Sequence, residues 1–90
     1  MTIMFVRHHV ADYDAWRRVY DSVGDTQREG GVQEEAVYRA EEDPNDVLVM
    51  HRFDSSAEAH AFMENAGLRQ AMADAGVDPS TITAEFYEQA

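Results

Sequence analysis

Side chains able to bind a ligand or move a proton crowd into residues 6 to 21, VRHHVADYDAWRRVYD. His8 and His9 stand side by side, and Trp16 and Tyr20 follow one helical turn apart. Imidazole titrates near neutral pH, so a histidine facing a ligand can serve as general base or hydrogen-bond partner. On a strand, successive side chains point to opposite faces, so only one of the two histidines can reach a given pocket. His8 shares parity with Met4, Val6 and Val10, the more continuously apolar side, and is the candidate catalytic base. His9 shares parity with Arg7 and is expected to face a partner or solvent. The plain alternative for His8 is a strand-end histidine hydrogen-bonded to backbone.

Trp16 and Tyr20 lie on the inward stripe of a predicted helix, where they either stack on a flat ligand or fill a core. Phe62, on the apolar stripe of a later helix, joins them as a candidate substrate contact. Tyr38 and Tyr87 line the same space if their strands turn them toward the helices, a parity the sequence leaves open; Tyr38 is kept as a candidate. Arg52 and Arg7 fall on inner strands, and a buried guanidinium needs a carboxylate, which Glu34, Glu35 or Glu85 can supply. Interface ion pairs are the first reading of these arginines, and binding of an anionic group the second. The candidate substrate-binding set is therefore Trp16, Tyr20, Tyr38, Arg52 and Phe62.

No metal site is expected. If the first and third strands pair antiparallel around Val6 and Val49, His51 falls near Met4, roughly 15 Å from His8 at about 3.3 Å per residue. His60 lies near the His51 end, but two imidazoles without a placed carboxylate make a weak site. No cofactor is expected either. Cysteine is absent, which removes disulfides and thiolate nucleophiles. Ser22, Ser55, Ser56 and Ser80 fall in helix or cap contexts, with no GxSxG turn and no glycine-rich phosphate loop. Most carboxylates fall on solvated faces rather than in an inward pair.

The elements that must position these groups can be read along the chain. TIMFVRHHV, residues 2 to 10, has the β-branched and aromatic content of a strand. Asp12 caps a helix whose apolar positions Tyr13, Trp16, Val19, Tyr20 and Val23 recur at helical spacing, ending at Gly30-Gly31. Residues 32 to 41 and 46 to 53 form a hairpin across Asp43-Pro44-Asn45-Asp46. Ser55 or Ser56 caps a second helix, with Ala59, Phe62, Met63 and Ala66 as its stripe, interrupted at Gly67 and resumed through Leu68, Ala71, Met72 and Ala75. TITAEFYE, residues 81 to 88, closes the order as a fourth strand.

The order β-α-β-β-α-β is the ferredoxin-like α+β pattern, an antiparallel four-stranded sheet with two helices on one face, here as a single domain over residues 1–90. Two helices shield one side of that sheet, yet the first strand offers Ile3 and Phe5 to one side and Met4 and Val6 to the other. The third strand likewise offers Leu48 and Met50 against Val47 and Val49. An uncovered apolar face of several hundred Å² exceeds what a soluble monomer leaves exposed. A homodimer packed sheet against sheet is the expected partner arrangement.

Composition narrows the remaining classes. Eighteen acidic residues against seven basic ones give a net charge of -11, which repels nucleic acid and anionic membrane surfaces. All the basic residues are arginine, which fits either coding bias or the acidic surface of a halophile. No apolar run of about 18 residues and no signal-peptide pattern is present, so a cytoplasmic protein is expected.

VRHHVADYDAW, EDPNDVLVMHRFDSSAEAHAF and the broken segment LRQAMADAGV together resemble the dimeric α+β barrel proteins, in particular the antibiotic biosynthesis monooxygenase-like group. The resemblance spans nearly the whole chain. It implies a ligand pocket between helices and sheet, in a group that includes cofactor-independent oxygenases of polycyclic aromatics, haem-degrading enzymes, small isomerases and proteins of no assigned activity. Where the haem-degrading branch has an iron-binding histidine and a strand tryptophan, this chain has Met72 and Phe53, which argues against haem degradation. The quinone-forming oxygenases use tryptophan, tyrosine, asparagine and arginine around the substrate, and Trp16, Tyr20, Tyr38, Tyr87 and Arg52 are available here.

The resulting expectation is a small-molecule-binding dimeric α+β barrel, a monooxygenase-like enzyme acting without cofactor on an aromatic or polyketide-like compound. His8 or a tyrosine would take a proton from a phenolic substrate, and the anion would react with oxygen in an apolar cavity. The rival is a non-catalytic ligand sensor or structural dimer. An enclosed space of roughly 300 Å³ or more beside His8 and Trp16 favours the first, and a filled interior the second.

Overall fold

The computed structural model describes residues 1–90, ordered as β1 Thr2–His9, α1 Tyr13–Ser22, α2 Gly24–Glu29, β2 Glu34–Arg39, β3 Asp46–Phe53, α3 Ser56–Met63, α4 Ala66–Asp74 and β4 Thr83–Glu88. The strands form one sheet in the order β2-β3-β1-β4, every neighbouring pair antiparallel. This is the ferredoxin-like α+β architecture expected from the element order.

Register decides which residues meet the helices. Val6 pairs with Val49 and Met4 with His51, so the even positions of β1 and the odd positions of β3 share one face. That face carries the core in two apolar clusters. Met4, Val6, Phe53, Ala59, Phe62 and Leu68 make one; Val10, Trp16, Val47, Val49, Ala75 and Val77 make the other, and Met72 and Ile82 touch both. Phe53, Val10 and Val47 are completely buried, each worth about 1.5–3 kcal/mol relative to exposure.

Both helical segments are divided. Asp12 caps α1 by accepting from the Asp14 N–H, but the helix breaks at Val23, seven residues before the glycine pair expected to end it. There the Ser22 hydroxyl donates to the Val19 carbonyl at 2.6 Å, a side-chain bond that competes with the helical ladder. A short second helix, α2, resumes at Gly24. Gly31 then takes φ 98°, and a Cβ there would collide with the Glu58 carboxylate, so the chain turns into β2 on a residue with no side chain.

Ser55 caps α3, accepting from the Glu58 N–H. The expected interruption at Gly67 is corrected to Asn65, whose side-chain oxygen accepts from the Leu68 N–H at 3.0 Å and starts a new helix. A side-chain cap outweighs glycine's weak helix propensity, and Gly67 sits inside the first turn of α4. β4 begins at Thr83, two residues later than expected, because Pro79–Thr81 winds into a 3-10 turn.

The opposite face of the sheet has no helix. Ile3, Phe5, Ala36, Leu48 and Met50 are half-buried there, while Tyr38 and Tyr87 are 53% and 51% exposed. The rim is polar: Arg7 pairs with Asp46 at 2.5 Å and Arg52 with Glu34 at 3.0 Å. No helix is long and apolar enough to cross a membrane.

Candidate functional site

Between the two core clusters lies a cavity of about 60 Å³, walled by His8, Trp16, Tyr20, Gln27, His51 and Phe62 with aliphatic side chains around them. His8 arrives from an even position of β1 and is 4% exposed. Its ring lies 5.8 Å from Trp16, tilted by 54°. Neither ring nitrogen has a protein hydrogen-bond partner. Burial pushes the imidazole pKa from 6.5 down to about 4, with the Asp46 carboxylate pulling weakly the other way. His8 is thus a neutral base with both nitrogens uncommitted.

His51 comes from an odd position of β3, opposite Met4, and is also 4% exposed. Burial likewise lowers its pKa to about 4. Its Nε2 lies 3.0 Å from the Tyr20 hydroxyl, which also stands 3.2 Å from a Glu35 carboxylate oxygen. The His51 Nδ1 is buried without a partner, as is the Gln27 side-chain nitrogen. Burial first, then the Glu35 charge, raise the Tyr20 pKa well above its ordinary value, so its phenol stays protonated.

Aromatic rings continue the wall. Trp16 stacks on Tyr20 with centroids 4.9 Å apart, Tyr20 runs nearly parallel to His51 at 6.1 Å, and Phe62 meets the edge of His51 at 5.5 Å. α1 delivers Trp16 and Tyr20 four residues apart because such residues share a helix face. Phe62 comes from α3. His8, Trp16, Tyr20 and Phe62 therefore meet at one place.

Tyr38 and Arg52 do not join them. Arg52 pairs with Glu34, and Tyr38 with Leu48, on the even register of β3, which turns both to the helix-free face. Both are thereby corrected out of the candidate substrate-binding set: Tyr38 is exposed on the other face, and Arg52 makes the carboxylate ion pair that was its first reading. His9 also lies on that side, bound to Asp43 at 3.0 Å. His51 and Gln27 are the cavity residues that sequence reasoning missed. From sequence alone His51 reads as a possible metal ligand, yet its pairing with Met4 puts it on the His8 face. No group of three or more His, Cys, Asp or Glu side chains is placed to hold a metal ion.

The volume limits what the site can hold. About 60 Å³ suits a few waters or a small polar group, whereas a dry cavity that takes benzene measures about 150 Å³. A ring can enter only if the wall gives, and the lining methionines Met63 and Met72 are the flexible part of it. The volume is well short of the roughly 300 Å³ set as the mark of a ready-made substrate pocket.

No family model and no curated protein sequence matches this chain. Solved structures do. A protein of Deinococcus radiodurans provisionally named an antibiotic biosynthesis monooxygenase superposes with a TM-score of 0.76 at 18% identity, covering 100% of this chain and 93% of that one. One of the same provisional name from Caulobacter crescentus gives 0.78 at 12% identity, covering 99% and 89%. A conserved protein of Methanosarcina mazei gives 0.77 at 13% identity, covering 100% and 94%. Together with the sheet order, these likenesses give the chain the ferredoxin-like α+β fold of those solved structures.

Proposed function

We propose that the protein binds a small molecule carrying a hydroxyl or other acidic hydrogen in the cavity between helices and sheet. The observation that carries this reading is the set of buried polar atoms without protein partners: both nitrogens of His8, Nδ1 of His51 and the Gln27 amide nitrogen. Each such group costs about 1–3 kcal/mol when left unmade. Gathered on an otherwise apolar wall, they describe a binding site more readily than a plain core.

A monooxygenase-like reaction without cofactor is the catalytic form of this reading. His8 takes a proton from a phenolic substrate, and the resulting electron-rich anion meets dioxygen in the apolar space. With an imidazole near 4 and a phenol near 10, that transfer is uphill by about six units, or about 8 kcal/mol. An enzyme turning over once per second has a barrier of about 17 kcal/mol, so the step fits inside it. More acidic hydroxyls suit the site better.

A second reading has its own support. The small cavity favours a non-catalytic ligand-sensing or structural dimer, since much of the interior is filled by its own side chains. In either case the partner is a second copy of the chain, packed through the face bearing Ile3, Phe5, Leu48 and Met50.

Titration with phenol and 1,4-dihydroxybenzene, followed in parallel by 1H–15N spectra and oxygen uptake, separates these readings. Coupled shifts at His8, His51 and Trp16 with oxygen uptake that His8→Ala abolishes support the enzyme. Shifts without uptake support the binding protein. The absence of shifts at all three residues overturns ligand binding here, and full turnover in His8→Ala removes the proposed base.

A further inference from the structure

The ring nitrogens of His8 have no protein hydrogen-bond partner, so no hydrogen-bonded chain of side chains leads from His8 toward solvent. His51 has one. Its Nε2 lies 3.0 Å from the Tyr20 hydroxyl, and that hydroxyl lies 3.2 Å from the carboxylate of Glu35, which is exposed on the edge strand β2. A phenol carries one proton and can donate only once. The carboxylate accepts only, and charge-assisted bonds are about twice as strong as neutral ones, so the Tyr20 proton goes to Glu35. The tyrosine oxygen then accepts from His51, which fixes the His51 proton on Nε2. In this tautomer Nδ1, buried without a partner in the wall of the cavity, carries the lone pair.

We propose that Glu35, Tyr20 and His51 form a proton path from the cavity to solvent, which presents His51 Nδ1 as an acceptor for an acidic hydrogen of the bound molecule. His51 is then a second base beside His8, and Tyr20 and Glu35 are positioning residues acting through it. The inference rests on the reading of the cavity as a ligand site. In the transfer the ligand's hydrogen bonds to Nδ1, the Nε2 proton passes to the Tyr20 oxygen, and the Tyr20 hydroxyl proton passes to Glu35. The products are a ligand anion and a neutral Glu35 carboxyl, so one negative charge moves inward as one proton moves outward. Exposed Glu35 then exchanges its proton with water. His8 keeps the role proposed for it, without such a chain behind its ring.

The path can be tested in the ligand-free protein, so its failure is distinct from a failure to bind phenols. Long-range 1H–15N correlation of ring-labelled protein at pH 7.5 reads the tautomer of each histidine, with His51→Gln identifying the His51 signals. The Nε2–H form of His51 is expected in at least about tenfold excess, the ratio that a hydrogen bond into a charged chain supports. Tyr20→Phe removes the acceptor and is expected to bring that ratio to a mixture. Glu35→Ala changes only an exposed side chain, keeps the fold, and is expected to erode the ratio as well, because the Tyr20 proton is no longer held away from His51. A majority of Nδ1–H in the unmodified protein, or a ratio unchanged in both variants, overturns the proposal.

Discussion

Acid should unfold this protein through its two buried imidazoles, and His8→Gln should remove half of that effect. His8 and His51 have pKa values of about 4 against 6.5 in the unfolded chain. The unfolded state therefore binds more protons wherever pH lies below 6.5. The stability held by the neutral rings is complete above pH 6.5 and is lost as pH falls toward 4. At pH 5 an unfolded histidine is almost fully charged, while each buried one is only about one-tenth charged. Linkage takes about 2 kcal/mol from each ring between pH 7.5 and pH 5, and about 4 kcal/mol from the pair. Against a typical total of about 5–15 kcal/mol for a domain, that loss is large. Urea unfolding at pH 7.5 and pH 5, with protomer concentration held constant, measures it. The two proteins differ only at residue 8, so the comparison isolates the contribution of the His8 ring. The unmodified protein should lose about 2 kcal/mol more than His8→Gln over this interval. Equal losses would show that His8 takes up protons when folded as easily as when unfolded, which would refute its burial as a neutral base.

Two further outcomes follow from the two faces of the sheet. Leu48→Glu puts a carboxylate in the middle of the helix-free face; sedimentation at micromolar concentration should show two-chain particles for the unmodified protein and single chains for the variant. A two-chain variant would mean that association uses another surface. Phe62→Ala empties a buried position against Phe53 and His51, and urea unfolding should show a loss of about 3–5 kcal/mol; a loss under about 1 kcal/mol would mean the wall collapses freely.

How legible these features were in the chain depended on the kind of physics behind each. β3 runs over Asp46–Phe53 as read, and Val6 meets Val49 as supposed, because both strands are continuous β-branched and apolar runs and the Asp43–Asp46 proline turn fixes where β3 begins. The helix breaks were displaced because glycine is the visible signal, whereas the deciding interactions were a serine bonding back to its own helix and an asparagine capping the next. β2 reads EEAVYR, with apolar residues on both parities, so Tyr38 could not be assigned a face until Leu48 was known to oppose it. His51 illustrates a different limit. Its parity was implicit in the Met4 pairing, but its contact with Tyr20 joins residues 31 apart, and nothing local announces it. Cavity size depends on how every wall side chain packs, so it cannot be read from any single stretch.

The chain has one tryptophan, and it is part of the cavity wall, stacked on Tyr20 and facing His8. Its ultraviolet emission therefore comes from one known spot, with no background from other indoles. Any guest that dries, wets or quenches that spot announces itself optically, so the molecule carries its own label for compound screening.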